Sequence, residues 1–514
     1  MTWLADVDPE TFWAHHAWTD FGPAKIDDHA VAVLPIYGFS DHGLGLPLDA
    51  EESLGGSVLK RAVLQTRRAA HVRVLPPLRF CLTPYPSGVF GVDYDTAHAL
   101  VSEISHGVRA AGYQKLAFYV TSPWNVEFID TVSRDVRAGE GLQTFVVNFN
   151  RLGLSFHPAA AERALTQSAA ARRLGFTPRP VARNAPFNDL GLRPGDFREL
   201  PALAIGPPVD GGQAARLAGD RLADILLEAA ARPPLHGGMR RNGLVATRLE
   251  EDLDTDGPAF PDGLRSRYLG ALSREEWDKL PGRGEAWVLL PTGSIEQHGP
   301  HLPVGVDAIL AQGWVTQVMG LFPAGARVVV APPITYGKSN EHGSFPGTLS
   351  ISGGTLRRLL LAMVTQLKAA GFRKFALLNT HGGNSAVLVT VARELQGSLG
   401  VRIGLLGKPF KPELSEQETE FGFHAGEWET SLMLALAPGL VAMDRAVTEY
   451  PGRRDDGACI RLNDSAAYLS WLTSDISESG VMGDARAATS EKGRRWLEEG
   501  AAALARKLSG LDGV

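Results

Sequence analysis

The sequence of 514 residues contains one pattern twice, and this internal repeat limits the possible folds more than any other feature. The stretch AVLPIYGFSDHGLGLPLDAEESL (residues 32–54) aligns with VLLPTGSIEQHGPHLPVGVDAIL (residues 288–310). RVLPP at residues 73–77 aligns with VVAPP at 329–333, and residues 95–125 align with residues 354–384. Because matched blocks in one order seldom arise independently, we predict a tandem duplication.

Each copy alternates strand-like apolar runs with amphipathic segments of helical spacing. This alternation predicts an α/β fold in which each copy has a mainly parallel sheet flanked by helices. Residues 231–263 are rich in glycine, proline and charge and show no periodicity, as is typical of a linker. We therefore place a domain boundary near residue 240, with a first domain at 1–240 and a second at 241–514.

The composition restricts the classes of partner. The net charge of -6 is spread along the chain, which leaves no basic stripe for nucleic acid. No apolar run reaches the roughly 20 residues of a membrane helix, and the N-terminus lacks the basic and apolar regions of a signal peptide. The two cysteines fit a reducing compartment. We therefore predict a cytoplasmic protein with a small-molecule substrate and with neither nucleic acid nor membrane as a partner.

Three polar loops in the second copy follow strands or begin a helix. They contain SIEQHGPHLPVGVD (residues 294–307), NTHGGN (residues 379–384) and FHAGEWE (residues 423–429). The carboxyl ends of parallel strands are where sites form in open α/β sheets. Nitrogen and oxygen donors without cysteine suit zinc, manganese or iron(II). We predict a site for two divalent metal ions, with these candidate ligands: Glu296, His298, Asp307, His381 and Glu429.

Each loop alone also has a structural explanation. A histidine beside glycine at a strand end often forms a turn, and the glycines of THGGN are typical of one. Glu429 is also explained as an acidic residue in the first turn of a helix, a position at which the helix dipole stabilises a negative charge. The metal site is favoured because three such loops occur in one predicted domain.

Five blocks of the second copy together resemble the creatininase (creatinine amidohydrolase) family. The resemblance covers residues 269–508, and the blocks read GSIEQHGPHLPVGVDA, FPGT, NTHGGN, HAGEWETSLML and GVMGDARAATSEKGRRWLE. The resemblance implies an α/β domain with a binuclear metal centre that usually assembles as a hexamer. It also implies that Glu296, Asp307 and His381 hold one metal. His298, the shared Asp307 and Glu429 would hold the second.

The resemblance implies catalytic roles and contains one departure. His424 matches the family's active-site histidine, which is suited to binding substrate or shuttling a proton, and either His424 or Glu341 of SNEHGSFPGT could help protonate the leaving group. Creatininase itself has tyrosine and glutamate after the histidine that matches His381, and that glutamate takes part at the metal centre. Gly382 and Gly383 stand there in this chain. The HGGN form resembles members that act on other substrates: formamide deformylases, peptide-maturation proteases and a hydrolase that opens a diketo-inositol ring.

The first copy has lost part of the motif. Serines (Ser40 and Ser122) stand where the second copy has the glutamate and the histidine of the first metal. His42, Glu51 and Glu162 remain as donors, which is enough for at most a single weakly held ion. We predict a non-catalytic first domain. If the copies pack as family members do, three chains would form a pseudo-hexamer.

Three functions remain open from the sequence. The leading one is hydrolysis of an amide-type C–N bond, cyclic or formyl, by metal-activated water. The second is hydrolytic C–C ring opening of a cyclic polyol ketone. The third is a non-enzymatic binding or scaffold protein, against which the intact ligand set of the second copy argues.

Overall fold

The computed structural model describes most of the chain, in the following ranges: residues 8–41, 46–83, 88–152, 211–232, 245–249, 260–261, 263–323, 325–407, 410–451, 460–461, 467–468 and 470–511. The described residues form two four-stranded parallel sheets, flanked by helices. The predicted α/β class is therefore confirmed. None of the described helices combines the length and the apolar character that a membrane span requires.

The first sheet and its helices lie before residue 232. The strands are β1 (Val31–Ile36), β2 (Phe39–Ser40), β3 (Val72–Val74), β4 (Gly88–Val89), β5 (Lys115–Val120) and β6 (Gln143–Asn148). The helices are α1 (Ala50–Thr66), α2 (Tyr94–Ala110), α3 (Val126–Glu140) and α4 (Gly211–Ala231). The sheet order is β3-β1-β5-β6, and β2 and β4 form a separate antiparallel pair.

The second sheet lies after residue 286. Its strands are β7 (Trp287–Thr292), β8 (Val328–Val330), β9 (Lys374–Asn379) and β10 (Arg402–Leu406), in the order β10-β9-β7-β8. The helices are α5 (Arg274–Asp278), α6 (Val306–Gly320), α7 (Gly353–Ala369), α8 (Ser385–Leu399), α9 (Glu416–Phe421), α10 (Glu427–Leu436), α11 (Thr473–Ile476) and α12 (Ser490–Gly510). Short strands complete this part: β11 (Thr448–Glu449), β12 (Ile460–Arg461), β13 (Ala467–Tyr468) and β14 (Gly483–Asp484).

Local sequence explains why corresponding elements start and stop alike. Strands β1 and β7 are buried at every position and are apolar except for Thr292 at the end of β7, as parallel strands covered on both faces are. At the starts of α2 and α7, Asp93 and Ser352 accept hydrogen bonds from backbone N–H groups in the first turn. Helices α3 and α8 both end at a glycine in the left-handed conformation, Gly141 and Gly400, with φ of 69° and 61°.

Both sheets have the same topology, which decides where a site can form. In the second sheet the chain passes from β7 to β8 on one side and then to β9 on the other. The point where the strand order reverses thus lies between β7 and β9, at whose carboxyl ends loops diverge and leave a crevice. This repetition supports the duplication, which stays a prediction. The boundary near residue 240 also stays a prediction, because residues 233–244 lie outside the described residues.

The two halves pack through equivalent elements. Glu103 of α2 accepts hydrogen bonds from Ser352 N (2.8 Å) and from Thr355 Oγ1 (3.0 Å) at the start of α7. A small cavity between the halves is lined by residues 77–80 and Leu100 from the first half and by residues 333–336 and Leu359 from the second. These two sets correspond in the repeat, so the halves meet about an approximate twofold axis.

Candidate metal centre

The three predicted loops converge at the reversal point of the second sheet. Glu296 and His298 follow β7, and His381 follows the neighbouring strand β9. Asp307 lies in the first turn of α6, and Glu429 lies in the first turn of α10. The first four side chains are buried, and Glu429 is partly buried. All five predicted ligands therefore meet in one place.

One group of ligands surrounds one oxygen of Asp307. His381 Nδ1 lies 3.1 Å from Glu296 Oε1 and 3.3 Å from Asp307 Oδ2. Ser294 Oγ donates a hydrogen bond of 2.6 Å to the same Asp307 oxygen. Glu296, Asp307 and His381 each offer one ligand atom, and these atoms lie within 4.8 Å of one another.

A second group surrounds the other oxygen of the same carboxylate. His298 Nε2 lies 3.6 Å from Asp307 Oδ1 and 3.8 Å from Glu429 Oε2. Ala425 N donates a hydrogen bond of 2.6 Å to Glu429 Oε2 and so orients this carboxylate. Asp307 thus divides its two oxygens between two groups, which is the arrangement of a bridging carboxylate in a two-metal site.

Backbone carbonyls select the tautomers of both histidines. His298 Nδ1 lies 3.1 Å from Glu296 O, and His381 Nε2 lies 2.9 Å from Lys338 O. Because a carbonyl oxygen only accepts, each of these nitrogens carries the proton. The other ring nitrogen of each histidine, His298 Nε2 and His381 Nδ1, faces the carboxylates, and it is able to bind a cation once it loses its proton. Metal-binding histidines in proteins are held in this way.

The charges of the cluster are strongly coupled. Burial by itself would lower the pKa of His298, but Asp307 and Glu429 outweigh burial and raise this pKa to about 9. Burial would raise the pKa of Glu296, but His342 and His381 hold it well below its usual range. Protons on the imidazoles neutralise the carboxylates, and a bound cation would supply the same neutralisation.

The unpartnered atoms of the cluster and the types of its donors both indicate that these residues fit a metal ion. Among the described residues, two buried atoms of the cluster, Glu296 Oε2 and His298 Nε2, have no hydrogen-bond partner. Buried polar atoms are rarely left in this state unless a ligand satisfies them. The donors are imidazole nitrogens and carboxylate oxygens, which zinc, manganese and iron(II) accept.

The predicted catalytic histidine lies beside the cluster. His424 is buried, its Nε2 donates to Gln297 O at 2.8 Å, and its Nδ1 faces Glu296 Oε1 at 3.8 Å. Its ring centroid is 4.3 Å from that of His298. Burial and the neighbouring His298 lower the pKa of His424, so the ring is neutral and able to accept a proton.

Glu341 lies at the edge of the same cluster. Its Oε1 is 3.9 Å from His381 Nε2, and its Oε2 accepts a hydrogen bond of 2.8 Å from Lys338 Nζ. The side chain is 14% exposed, so it is within reach of solvent and of the buried ligands at once. The structure brings Glu341 and His424 to the site, and their catalytic roles stay predictions.

Sequence reasoning missed two residues that surround the cluster. His342 is buried, and its Nε2 lies 3.5 Å from Glu296 Oε1. Gln297 Nε2 donates to His342 Nδ1 at 2.9 Å and to Gly480 O at 3.0 Å. Burial lowers the pKa of His342 well below its usual range. A signal existed for both, since Gln297 lies between two predicted ligands and His342 follows Glu341 directly.

The first half has an internal hydrogen-bond network at the corresponding place. Glu51 is buried, and its Oε2 accepts hydrogen bonds from Gly38 N (2.9 Å), Thr121 Oγ1 (2.7 Å) and Ser122 Oγ (2.5 Å). Ser40 is also buried. The other two predicted donors, His42 and Glu162, lie outside the described residues. Within the part of the chain that the structure describes, no group of three potential ligands occurs in the first half.

The fold and the site define an α/β protein with a buried group of metal-binding residues at the reversal point of its second sheet. The family model for creatininase (creatinine amidohydrolase) matches residues 271–508. A mycofactocin precursor peptide peptidase of Mycolicibacterium smegmatis is 33% identical over 247 residues, which cover 47% of this chain and 88% of that protein. A creatinine amidohydrolase of Pseudomonas putida is 32% identical and covers 36% of this chain and 78% of its own.

This chain is also similar to a further relative and to two solved structures. A 3-dehydro-scyllo-inosose hydrolase of Thermotoga maritima is 29% identical, covering 41% of this chain and 73% of its own. A solved creatininase with manganese is 27% identical, has a TM-score of 0.39, and covers 47% of this chain and 97% of its own. A zinc–zinc form of a creatininase mutant is 29% identical, with a TM-score of 0.39 and coverages of 47% and 96%.

This chain belongs to the creatininase family, and it is a hydrolase of that family. The resemblance deduced from the five sequence blocks is thereby confirmed. All the reported matches cover less than half of this chain. The family model lies wholly within the second copy of the repeat.

Proposed function

We propose that this chain is a metal-dependent hydrolase with two divalent cations, zinc, manganese or iron(II), that cleaves an amide-type C–N bond. One observation carries the proposal: Asp307 directs its two carboxylate oxygens to two different groups of ligands. His381 lies 3.3 Å from Asp307 Oδ2, and His298 lies 3.6 Å from Asp307 Oδ1. A shared carboxylate of this kind is what two neighbouring cations require.

The ligand roles follow from the two groups. Glu296 and His381, with Asp307, would hold one cation, and His298 and Glu429, with the same Asp307, would hold the other. Bound there, the cations would supply Lewis acidity toward a carbonyl and an activated water. The protein contributes a site that is nearly closed to solvent, which strengthens every charge interaction inside it.

His424 and Glu341 divide the proton transfers in this proposal. His424 Nε2 is held by Gln297 O, so its neutral Nδ1 faces the cluster and accepts a proton from the attacking water. Glu341 lies beside His381 and is 14% exposed, so its carboxylate can take up a proton from solvent and pass it to the departing nitrogen. Lys338, at 2.8 Å, keeps the Glu341 carboxylate directed toward the site.

Glu341 also accounts for the missing glutamate of the HGGN motif. A Cβ atom on Gly383 would overlap Glu341 Oε1 and would lie 2.5 Å from both His381 Nε2 and Lys338 O. The Glu341 carboxylate therefore occupies the space in which a side chain at position 383 would begin. We propose that Glu341, supplied by another loop, fills the space of that glutamate beside His381 without being one of the metal ligands.

The substrate class follows from the chemistry that the relatives share. By their names, one relative acts on a precursor peptide and another is an amidohydrolase of creatinine. Both names are consistent with attack on a carbonyl carbon that bears nitrogen. We propose a small cyclic amide or a formamide as substrate, because the ligand cluster is buried and a buried site favours a small substrate. Hydrolysis of a peptide amide would change this assignment of the substrate class.

Hydrolytic C–C ring opening is the second candidate. The relative named 3-dehydro-scyllo-inosose hydrolase favours it, since a polyol ketone also presents a carbonyl carbon to the activated water. A scaffold function is disfavoured. The described cluster keeps every predicted ligand, whereas the corresponding place in the first half has serines at two of these positions.

The oligomer remains part of the proposal. The halves already pack about an approximate twofold axis through corresponding residues. We propose that three chains assemble into a ring in which the first halves take the places of additional subunits. The molar mass by light scattering should be three times that of the 55.1 kDa chain, and a monomeric mass would contradict this assembly.

The metal content tests the proposed function directly. We expect about two metal ions per chain in the wild type and fewer in Asp307→Asn, because this carboxylate serves both groups. Glu51→Gln is the matched control, since it changes the corresponding acid of the first half and should leave the metal content unchanged. Wild-type protein is then assayed against formamides, cyclic amides, short peptides and cyclic polyol ketones. No metal after purification with added Zn²⁺, Mn²⁺ and Fe²⁺ would overturn the proposal.

A further inference from the structure

A segment of the first half runs along the metal-ligand loops of the second. Residues 13–21, which we call the bracing segment, precede β1 in the chain. Val304 N donates a hydrogen bond of 2.8 Å to His16 O, and Gly305 N donates one of 3.0 Å to Ala14 O. These two donors lie between His298 and Asp307, so the bracing segment fixes the backbone from which both ligands project.

Two tryptophans extend these contacts to other loops of the site. Trp13 is fully buried, and its Nε1 donates to Gly347 O at 2.9 Å. Trp18 Nε1 donates to Ser479 O at 3.2 Å, and its ring meets Phe345 edge-to-face at 5.1 Å. The bracing segment therefore contacts three separate loops of the second half: residues 304–305, 345–347 and 479.

The contacted loops are those that hold Gln297 in place. Gln297 N donates to Thr348 Oγ1 at 3.1 Å, directly after Gly347, and Gln297 Nε2 donates to Gly480 O at 3.0 Å, directly after Ser479. Gln297 in turn accepts from His424 Nε2 through its backbone oxygen. Each anchor of Gln297 is thus one residue away from an atom that a tryptophan of the first half binds.

The halves exchange these segments reciprocally. Leu48 N donates to Leu272 O at 3.0 Å, and Asp49 N donates to Gly270 O at 2.9 Å. In the repeat these residues correspond to the pairs formed with His16 and Ala14. Each half therefore supplies the same two carbonyls to the loop that precedes a long helix in the other half. Within the described residues only the second half has a ligand cluster beside that loop.

We propose that the first half acts as a built-in partner subunit, in which Trp13 and Trp18 are positioning residues for the metal centre of the second half. This inference rests on the proposed metal centre and adds a reason for the first half to be present. Neither tryptophan touches the ligands; they act through the loops around Gln297. The first half is thus required for the geometry of a site whose ligands, among the described residues, all come from the second half.

The variants Trp13→Phe and Trp18→Phe test the inference in the full chain. Each keeps an aromatic ring and removes one indole N–H donor. Trp124→Phe is the matched control, because Trp124 Nε1 also donates to a backbone carbonyl (Leu82 O, 2.9 Å) but within the first half. All three proteins are purified without metal and compared by thermal unfolding, so that global stability is known.

Hydrogen–deuterium exchange gives a readout that needs no metal. In the two bracing variants, amides of residues 295–305 and 345–349 should exchange about fivefold to tenfold faster, since one hydrogen bond per variant is lost. Amides of β5 should not change. The control variant should leave the loops of the second half at the wild-type rate. Equal rates in all four proteins, or a uniform increase throughout the chain, would overturn the inference.

Cobalt(II) binding gives the second readout. We expect the bracing variants to bind Co²⁺ about threefold to tenfold more weakly than wild type, with an altered visible spectrum, because supports beyond the first ligands tune a metal site. Gly305→Ala is an independent variant, since its Cβ would lie 2.5 Å from Ala14 O and would push the halves apart without removing a donor. Wild-type protein that binds no Co²⁺ would defeat the proposed function, and the exchange rates would still decide the bracing role.

Discussion

The Glu341 carboxylate occupies the space that a side chain on Gly383 would need, although the two residues belong to different loops. Gly383 follows β9, and Glu341 follows β8 in a short 3-10 turn at residues 340–342. The glycine and the carboxylate therefore depend on each other. A side chain at position 383 and an acid at position 341 are alternative ways to place a group beside His381.

Replacement of Gly383 should therefore damage the site, and replacement of its neighbour should not. In Gly383→Ala, the new Cβ would collide with Glu341 and would lie 2.5 Å from His381 Nε2 and Lys338 O, so the histidine must move. We expect a loss of about tenfold or more in metal affinity, measured by titration of the metal-free protein with Zn²⁺.

Gly382→Ala is the control for this prediction. No described atom lies within 4 Å of a Cβ at position 382, so this variant should bind metal as the wild type does. Equal affinities of the two alanine variants would show that the space beside Gly383 is not restricted in solution.

Glu341→Gln tests the proton-transfer role. The amide keeps the shape of the side chain but carries no exchangeable carboxyl proton, so kcat should fall by about 100-fold to 10,000-fold. The metal content should remain that of the wild type, because Glu341 belongs to neither group of ligands. The assay uses the substrate that wild type hydrolyses best. Glu394→Gln, which alters an exposed ion pair with Arg357, should leave kcat unchanged; a comparable fall there would remove the case for Glu341.

His15 should make the protein sensitive to acid. Both ring nitrogens are buried without a hydrogen-bond partner among the described residues. Burial and the neighbouring His16 lower the pKa of His15 to about 4. The unfolded chain takes up this proton near the ordinary pKa of about 6.5, whereas the folded protein does not. The stability that depends on neutral His15 is therefore complete above that pH and is lost as the pH falls toward 4.

The measurement is the unfolding midpoint between pH 4 and pH 8 for wild type and His15→Phe. The phenylalanine keeps a ring against Phe12, which the histidine meets edge-to-face at 4.9 Å, and does not titrate. Across this range, the free energy of unfolding should fall by roughly 2–3 kcal/mol less in the variant than in the wild type. Parallel curves for the two proteins would contradict the assignment.

A buried ion pair near the contact between the halves should be sensitive to the loss of one partner. Arg79 Nε donates to Glu52 Oε2 at 2.7 Å, and Arg79 Nη2 donates to Glu52 Oε1 at 2.5 Å. Glu52→Gln leaves a buried guanidinium without its counter-charge and should cost about 3–5 kcal/mol in the free energy of unfolding. The double variant Arg79→Met with Glu52→Leu should recover most of this loss. Denaturant titration measures the free energy of unfolding of the single and the double variant. Equal losses in the two would contradict this explanation.

Much of the fold could be predicted from the sequence, because it depends on local patterns of residues. The strand-like apolar runs and the amphipathic segments of each copy predicted strands and helices, and both are present, for example as β9 and α7. The repeat predicted that the two halves share a topology, and the two sheets have the same strand order. Hydrophobic period and turn residues are properties of neighbouring positions, so a sequence displays them directly.

The candidate ligands could also be predicted from the sequence, since each belongs to a short motif that follows a strand or begins a helix. The contacts around them were not. His342 lies beside Glu296 because a 3-10 turn directs it there, and Gln297 holds it through a side-chain hydrogen bond. Neither contact has a signal in spacing, because the partners are 45 or more positions apart in the chain.

The sequence by itself determined the class of fold, the family and the five candidate metal ligands. Only the tertiary structure decided that Asp307 splits its oxygens between two groups and that Glu341 takes the space beside Gly383. It alone placed Trp13 against Gly347 across the two halves. The physical reason is that residue type and spacing fix local structure, whereas charge coupling and hydrogen bonds between distant loops depend on distances that exist only once the chain has folded.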